Sequence, residues 1–325
     1  MAAQGWWRLE MAAPPELEES LLWKLPELGI VRVAIRSLPD DPAAHQLVAW
    51  LPEVDWSEAE RARLAVALTP LAETFGLALP PLHWFHQSDE DWSLSWKQHW
   101  QPDPVGERFL ILPAWLELPE EHQDRLVIRL DPGSAFGTGS HPTTRLCLEA
   151  LETMARARGG TLAGLRVADL GCGSGILGLG ALRLGAASLA ASDTDSLAVR
   201  ATGENAALNG LDQGRGQEGG PQGPGKRLQV AQGSAEVLAE LLAGRPADLL
   251  LCNILAPVIE ALAPQFIAVL APAGVGYLSG LLLEQVEGLR EALAASGWRA
   301  ELVGAQGPWG LLELRAAGAP STPVA

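Results

Sequence analysis

A chain of 325 residues, 48% apolar and 19% charged, is long enough for about two domains and apolar enough for sizeable cores, which excludes wholesale disorder. Its formal net charge of -16 repels phosphate backbones, so direct contact with nucleic acid is disfavoured and a basic partner is steered in. The three cysteines, Cys147, Cys172 and Cys252, are odd in number and lack CxxC spacing. That argues against a disulfide framework or a metal site and for a reducing, cytoplasmic setting.

The first residues show neither the basic nor the apolar region of a signal peptide. Residues 6–11 read as a strand and 15–28 as a helix closed by Gly29, followed by β-branched and apolar strands at 30–38 and 46–54. Ser57-Glu58-Ala59-Glu60 has the spacing of a capping box and opens an apolar-periodic helix that Gly76 stops. A short strand at 82–85 completes a β-α-β-β-α-β order, which predicts a ferredoxin-like domain over residues 1–88. Nothing in it looks catalytic.

Trp92, Trp96 and Trp100 recur every fourth residue, so a helix over 89–100 carries three indoles along one face. Two readings stand: a linker helix packed between domains, or an aromatic surface that grips substrate. From 101 to 318 short apolar strands (167–170, 188–192, 249–252, 276–278) alternate with helical patterns at 176–184, 197–208, 257–270 and 283–295. This is the pattern of a doubly wound α/β domain, a parallel sheet covered on both faces. Residues 261–283 carry no formal charge, but their prolines and glycines divide them into helix, turn and strand, so no membrane span is expected. Residues 212–226 read as a Gly/Gln-rich surface insertion, and 319–325 as a disordered tail.

The central motif is Asp169-Leu170-Gly171-Cys172-Gly173-Ser174-Gly175 between a buried strand and a helix. Alternate glycines permit a tight turn and close approach of a ligand to the backbone at the strand's carboxyl end. Gly173, Gly175 and Gly178 also satisfy the dinucleotide fingerprint G-x-G-x-x-G. A pyrophosphate is poorly served by the carboxylate of Asp169, however, whereas the ammonium and sulfonium of S-adenosylmethionine are attracted by it. Asp193 closes the next strand, about 20 residues on, the spacing at which an acid accepts hydrogen bonds from ribose hydroxyls. Asp195 reads as the cap of the following helix.

Residues 131–144, Asp-Pro-Gly-Ser-Ala-Phe-Gly-Thr-Gly-Ser-His-Pro-Thr-Thr, closely resemble the signature of the methyltransferases that modify the eleventh protein of the large ribosomal subunit (the PrmA family). The likeness continues through 169–175, 193–209, Cys252-Asn253-Ile254-Leu255-Ala256 and Leu278-Ser279-Gly280-Leu281, covering about 91–315. The first ninety residues match in expected architecture alone. The resemblance implies a class I, Rossmann-like methyltransferase domain joined by a linker helix to a substrate-recognition domain. It also implies cofactor contacts from Thr144, Gly171, Asp193 and Asn253, to which Asp169 and Gly173 of the turn are added. In the first signature Gly133, Gly137 and Gly139 act as hinges, Phe136 as an apolar cover over the cofactor, and Thr143-Thr144 as hydroxyls at a helix start. His141 is either a general base or a positional residue.

Asn253 is the candidate catalytic residue, its amide orienting cofactor and incoming amine. It is followed by Ile-Leu-Ala rather than Pro-Pro-aromatic, so a flat amide or adenine cannot be clamped and an aliphatic amine fits better. The expected enzyme is a monomer that methylates lysine or N-terminal amines of a basic ribosomal protein. The alternative substrate is another basic protein or a small amine.

Overall fold

A computed structural model describes residues 5–30, 32–38, 41–87, 100–131, 139–211 and 227–318. Trp92 and Trp96 of the expected linker helix, Phe136, Gly133 and Gly137 of the first signature, the 212–226 insertion and the 319–325 tail lie outside them. The chain divides into two compact units, 1–101 and 102–325.

The first unit has β1 (Trp6–Ala12), α1 (Pro15–Glu27), β2 (Val33–Leu38), β3 (Asp41–Pro52), α2 (Glu58–Thr74) and β4 (His83–Gln87). The sheet runs β2-β3-β1-β4, all pairs antiparallel, which is the ferredoxin-like arrangement. Alternation along the strands sends Leu9, Met11, Leu47, Ala49 and Leu51 to the helix-covered core. Leu17, Leu21 and Leu25 of α1, and Leu64, Leu68 and Ala72 of α2, recur at four-residue spacing and meet them there. Ser57 caps α2 by accepting the Glu60 N–H at 3.3 Å.

The second unit starts with a small sheet of β5 (Asp103–Val105), β6 (Phe109–Pro113) and β7 (Leu126–Leu130). Then come α3 (Pro142–Ala157), β8 (Arg166–Leu170), α4 (Ile176–Arg183), β9 (Ser188–Asp193), α5 (Ser196–Leu208), β10 (Leu228–Gln232), α6 (Ala235–Leu241) and β11 (Ala247–Asn253). The series ends with α7 (Ala256–Leu262), α8 (Phe266–Val269), β12 (Leu270–Leu282), α9 (Val286–Ala295), β13 (Trp298–Gln306) and β14 (Trp309–Ala316). The large sheet has the order β10-β9-β8-β11-β12-β14-β13. One core lies between the sheet and α3, α4 and α5. A second, with Leu238, Ile259, Phe266 and Leu293, lies beneath α6 to α9.

Two expectations are corrected. The sheet is not wholly parallel: β14 runs antiparallel to β12 and to β13, because a short hairpin turn cannot return a chain in parallel. The single helix expected over 257–270 is two, α7 and α8, separated by a 3-10 turn at Ala263–Gln265, where Pro264 removes a helical N–H. Strand β12 consequently begins at Leu270 rather than 276. Strands β5 to β7, β10, β13 and β14 escaped the sequence reading. Among the described residues no helix is long and apolar enough to cross a membrane.

Candidate cofactor and amine site

From β8 the chain winds outward through β9 to β10, then returns to place β11 on the other side of β8. The crevice between β8 and β11 is thus the point where winding direction reverses, and the carboxyl ends of parallel strands there are the natural place for a ligand. Gly171, Gly173, Asp193, Thr144 and Asn253 lie at this edge and Asp169 just beneath it.

The turn after β8 holds Gly171, Gly173 and Gly175 at φ +73, +54 and +80, a region that side chains with Cβ rarely occupy. The Gly171 and Cys172 amides donate to the Ser192 carbonyl of β9 at 2.9 and 3.1 Å. At Gly171 a Cβ would also come within 2.4 Å of Ile254 Cγ2, the residue after Asn253. The glycine turn and the end of β11 are therefore close neighbours.

Asp193, the last residue of β9, accepts the Gly173 N–H on Oδ2 and the Asp195 N–H on Oδ1, both at 2.9 Å. Each carboxylate oxygen keeps a lone pair for a further donor. Burial raises its pKa, against the lowering effect of those amides. Asp195 caps α5 by accepting the Leu197 N–H at 2.8 Å.

Asp169 sits underneath the turn, 1% exposed, with Oδ2 accepting the Gly178 N–H at 2.9 Å. Desolvation raises its carboxyl to about 7, and the nearby charge of Asp193 adds to the rise. This bond also separates the two ligand readings of the turn. Gly178 is the third residue of α4, so its amide is one of those a pyrophosphate would need. It is already taken by a carboxylate.

On the other side of the crevice, Asn253 ends β11 in register with Ser279 of β12. Its Nδ2 donates to Thr144 Oγ1 at 3.3 Å, a bond between groups 109 positions apart in the chain. Both residues are buried, and among the described residues Asn253 Oδ1 has no hydrogen-bond partner. A buried carbonyl oxygen left in this state is costly unless something else satisfies it. Gly280, at φ +81, lets the backbone of β12 approach Ile254, where a Cβ would stand 2.4 Å from the carbonyl oxygen. Thr144 is placed by the start of α3. His141 is the N-cap, its Nδ1 accepting the Thr143 N–H at 3.3 Å, and its ring meets Trp309 edge-on at 4.8 Å between centroids. This gives His141 a capping role at the start of α3.

The structure thus brings together Gly171, Gly173 and Asp193 as one group, with Asp169 below, and Thr144 with Asn253 as another. Sequence reasoning missed the inward face of α5. There Thr202 Oγ1 donates to the Gly173 carbonyl at 3.0 Å, and Asn205 Nδ2 to the Ser174 carbonyl at 2.9 Å. Asn205 Oδ1 accepts the Asp131 N–H at 3.0 Å. The available signal was a row of polar residues, Thr202, Asn205 and Asn209, on the helix face that is otherwise alanine.

A seven-stranded, mainly parallel sheet with a glycine turn after one strand and an acid closing the next is the architecture of class I methyltransferases. The model of the ribosomal protein L11 methyltransferase (PrmA) family matches residues 5–317, and the chain belongs to that family. It is 61% identical to a ribosomal protein L11 methyltransferase of Parasynechococcus marenigrum (strain WH8102) over 305 residues, 94% of this chain and 99% of the relative. With that of Synechococcus sp. (strain RCC307) it shares 59% identity over 316 residues, 97% of this chain and 99% of the relative. The crystal structure of ribosomal protein L11 methylase from Lactobacillus delbrueckii subsp. bulgaricus superposes with a TM-score of 0.54 at 32% identity, covering 67% of this chain and 99% of that one.

Proposed function

We propose that this chain transfers methyl groups from S-adenosylmethionine to amino groups of ribosomal protein L11, with lysine ε-amines, the N-terminal α-amine or both as acceptors. The observation that carries this reading is the buried, unpartnered Oδ1 of Asn253 beside the Thr144 hydroxyl, at the crevice edge next to the glycine turn. An acceptor oxygen in that state suits the N–H of a neutral amine.

The donor set fits the cofactor. The spare lone pairs of Asp193 suit ribose hydroxyls, the left-handed glycines at 171 and 173 allow close approach, and Asp169 provides negative charge for a cation. Thr144 and Asn253 lie on the methyl side, and Phe136 belongs to the same set by its place in the first signature. When bound, S-adenosylmethionine supplies an intrinsically activated methyl on a sulfonium. What this chain's residues must add is alignment and exclusion of water. Asn253 holds the acceptor nitrogen through Oδ1, while Thr144 fixes the amide so that the oxygen faces the crevice.

The amine has to arrive neutral. A lysine with pKa near 10.4 is about 3.4 units from neutrality at pH 7, or roughly 4.6 kcal/mol, whereas an α-amine near 7.8 needs about 1 kcal/mol. No dedicated base stands in the described site, so burial of the amine does this work. Residues 1–88 act as the substrate-recognition domain and 89–100 as the linker. The net charge of -16 draws in a basic ribosomal protein. The enzyme acts as a cytoplasmic monomer, without direct contact with nucleic acid or membrane.

The decisive experiment is mass spectrometry of L11 after incubation with enzyme and S-adenosylmethionine. Mass increments of methyl groups on lysine or the N-terminus support the proposal, and unmodified L11 overturns it. Methylation of a different basic protein or of a small amine instead selects the alternative substrate. The rate on lysine targets should climb more steeply with pH than the rate on the α-amine.

A further inference from the structure

We propose that Asn205 is a positioning residue of the cofactor site, its carboxamide clipping the glycine turn to the end of β7 and so setting the Gly173 amide against Asp193. The inference rests on the turn being the cofactor site. A turn with glycines at 171, 173 and 175 is the least self-ordered backbone the chain can build, because glycine has the most conformational freedom to lose. A ligand meeting such a turn unrestrained would have to order it on binding, and affinity would suffer accordingly.

The restraint comes from α5. Thr202 and Asn205, three positions apart and therefore on one face, hold two successive carbonyls of the turn, those of Gly173 and Ser174. Because each peptide unit is planar, fixing these oxygens fixes the directions of the Ser174 and Gly175 amides. The Gly173 amide is left to point at Asp193 Oδ2. Asn205 does more than Thr202, since its other end accepts the Asp131 N–H just beyond β7.

One buried amide, 0% exposed, thus spans two segments that the chain separates by 43 positions (174 minus 131). Its orientation is not interchangeable: an N–H can only donate and a carbonyl can only accept. Asparagine alone offers both at this reach. The carboxylate introduced by Asn205→Asp would still accept from the Asp131 N–H but would set a negative charge against the Ser174 carbonyl. Asn209, one helical turn further, bonds instead to the backbone of Arg129 and of Asn205 and to the Arg183 guanidinium. Among the described residues its side chain makes no bond to the glycine turn, so it is a control for burying an amide on the same helix face.

The test is titration calorimetry of the full chain with S-adenosylmethionine, together with thermal melts. Asn205→Ala should raise the cofactor Kd about tenfold or more, and Asn205→Asp at least as much. Asn209→Ala should lower the melting temperature comparably while keeping Kd within about threefold of wild type. The KM for the cofactor should rise in Asn205→Ala with kcat at saturation little changed. In a double-mutant cycle with Asp193→Ala the two losses should be less than multiplicative, because both residues hold the same turn, Asn205 at Ser174 and Asp193 at Gly173. Should Asn205 variants fail to fold, Thr202→Val removes one carbonyl anchor and should weaken binding severalfold. Unchanged Kd in Asn205→Ala, an equal loss in Asn209→Ala, or strictly multiplicative losses would each overturn the role of Asn205. Wild-type protein that does not bind S-adenosylmethionine overturns the cofactor reading itself, and this inference with it.

Discussion

In the N-terminal unit the charged groups of the sheet answer one another on the face turned away from the helices. Glu10 pairs with Arg8 at 3.0 Å and Arg36 at 3.5 Å, and Gln46 accepts from Arg36. Arg61 of α2 lies 3.7 Å from the centroid of the Trp7 ring. Among its described residues only Glu18, bonded to His45, is a buried polar or charged group. The second unit buries Thr143, Thr144, Asp169, Thr202, Asn205, Asn253 and Ser279, nearly all at the carboxyl edge of its sheet. An antiparallel sheet with both helices on one face turns its charged groups to the other, where Arg8, Glu10, Arg36 and Gln46 pair across the strands. A doubly wound sheet leaves a crevice at its reversal point, where polar groups can be buried and held for something else. The contrast between a unit that buries few polar side chains and one that gathers them at a sheet edge is what substitution can sharpen or break.

The largest effect is expected at Asn253. Asn253→Ala removes the unpartnered oxygen and frees Thr144, and should lower kcat about 100-fold through misalignment of the amine. Single-turnover transfer to L11 measures this, and a near-normal rate would mean that the unpartnered atom has no part in the reaction. Asp193→Ala should come next, weakening S-adenosylmethionine binding about ten- to a hundredfold through loss of a charged double hydrogen bond. Calorimetry reads it directly.

Asp169 tests the poised edge through pH. Burial holds its carboxyl at about 7 in the folded chain, against about 3.9 unfolded. Between these values the folded state keeps a proton that the unfolded state has released. Stability should therefore fall as pH rises through that window, and level off above about 7. Melts of the cofactor-free protein should show a decline of a few degrees that Asp169→Asn removes, since the amide oxygen still accepts the Gly178 N–H. A rise in stability across the window would reverse the assignment. The smallest effect belongs to the N-terminal unit. Arg61→Ala forfeits a stacking contact worth about 1 kcal/mol and should lower the melting temperature by several degrees with cofactor Kd unchanged. A weakened Kd would break the contrast between the units.

Local order was legible wherever the signal is contiguous. The β-α-β-β-α-β series, the strand-turn-helix around Gly171–Gly175 and the caps at Ser57 and Asp195 are written in neighbouring residues, whose geometry obeys short-range sterics and hydrogen bonding. Less legible were β13 and β14, whose pairing with β12 depends on partners rather than on their own pattern. Thr144 and Asn253 stood out through resemblance to a family, not through spacing. Nothing in the 109 positions between them says that a hydroxyl and an amide will touch.

The amino-acid order by itself therefore determined the N-terminal β-α-β-β-α-β series, the strand-turn-helix of the glycine turn and that an acid closes the next strand, because these follow from local periodicity and backbone freedom. Only the tertiary structure decided that Asp169 is bound to Gly178, that Asn205 joins the turn to Asp131, and that Asn253 Oδ1 is buried without a partner among the described residues. Those outcomes depend on how distant strands align in the sheet, and burial alone turns such meetings into energies large enough to matter.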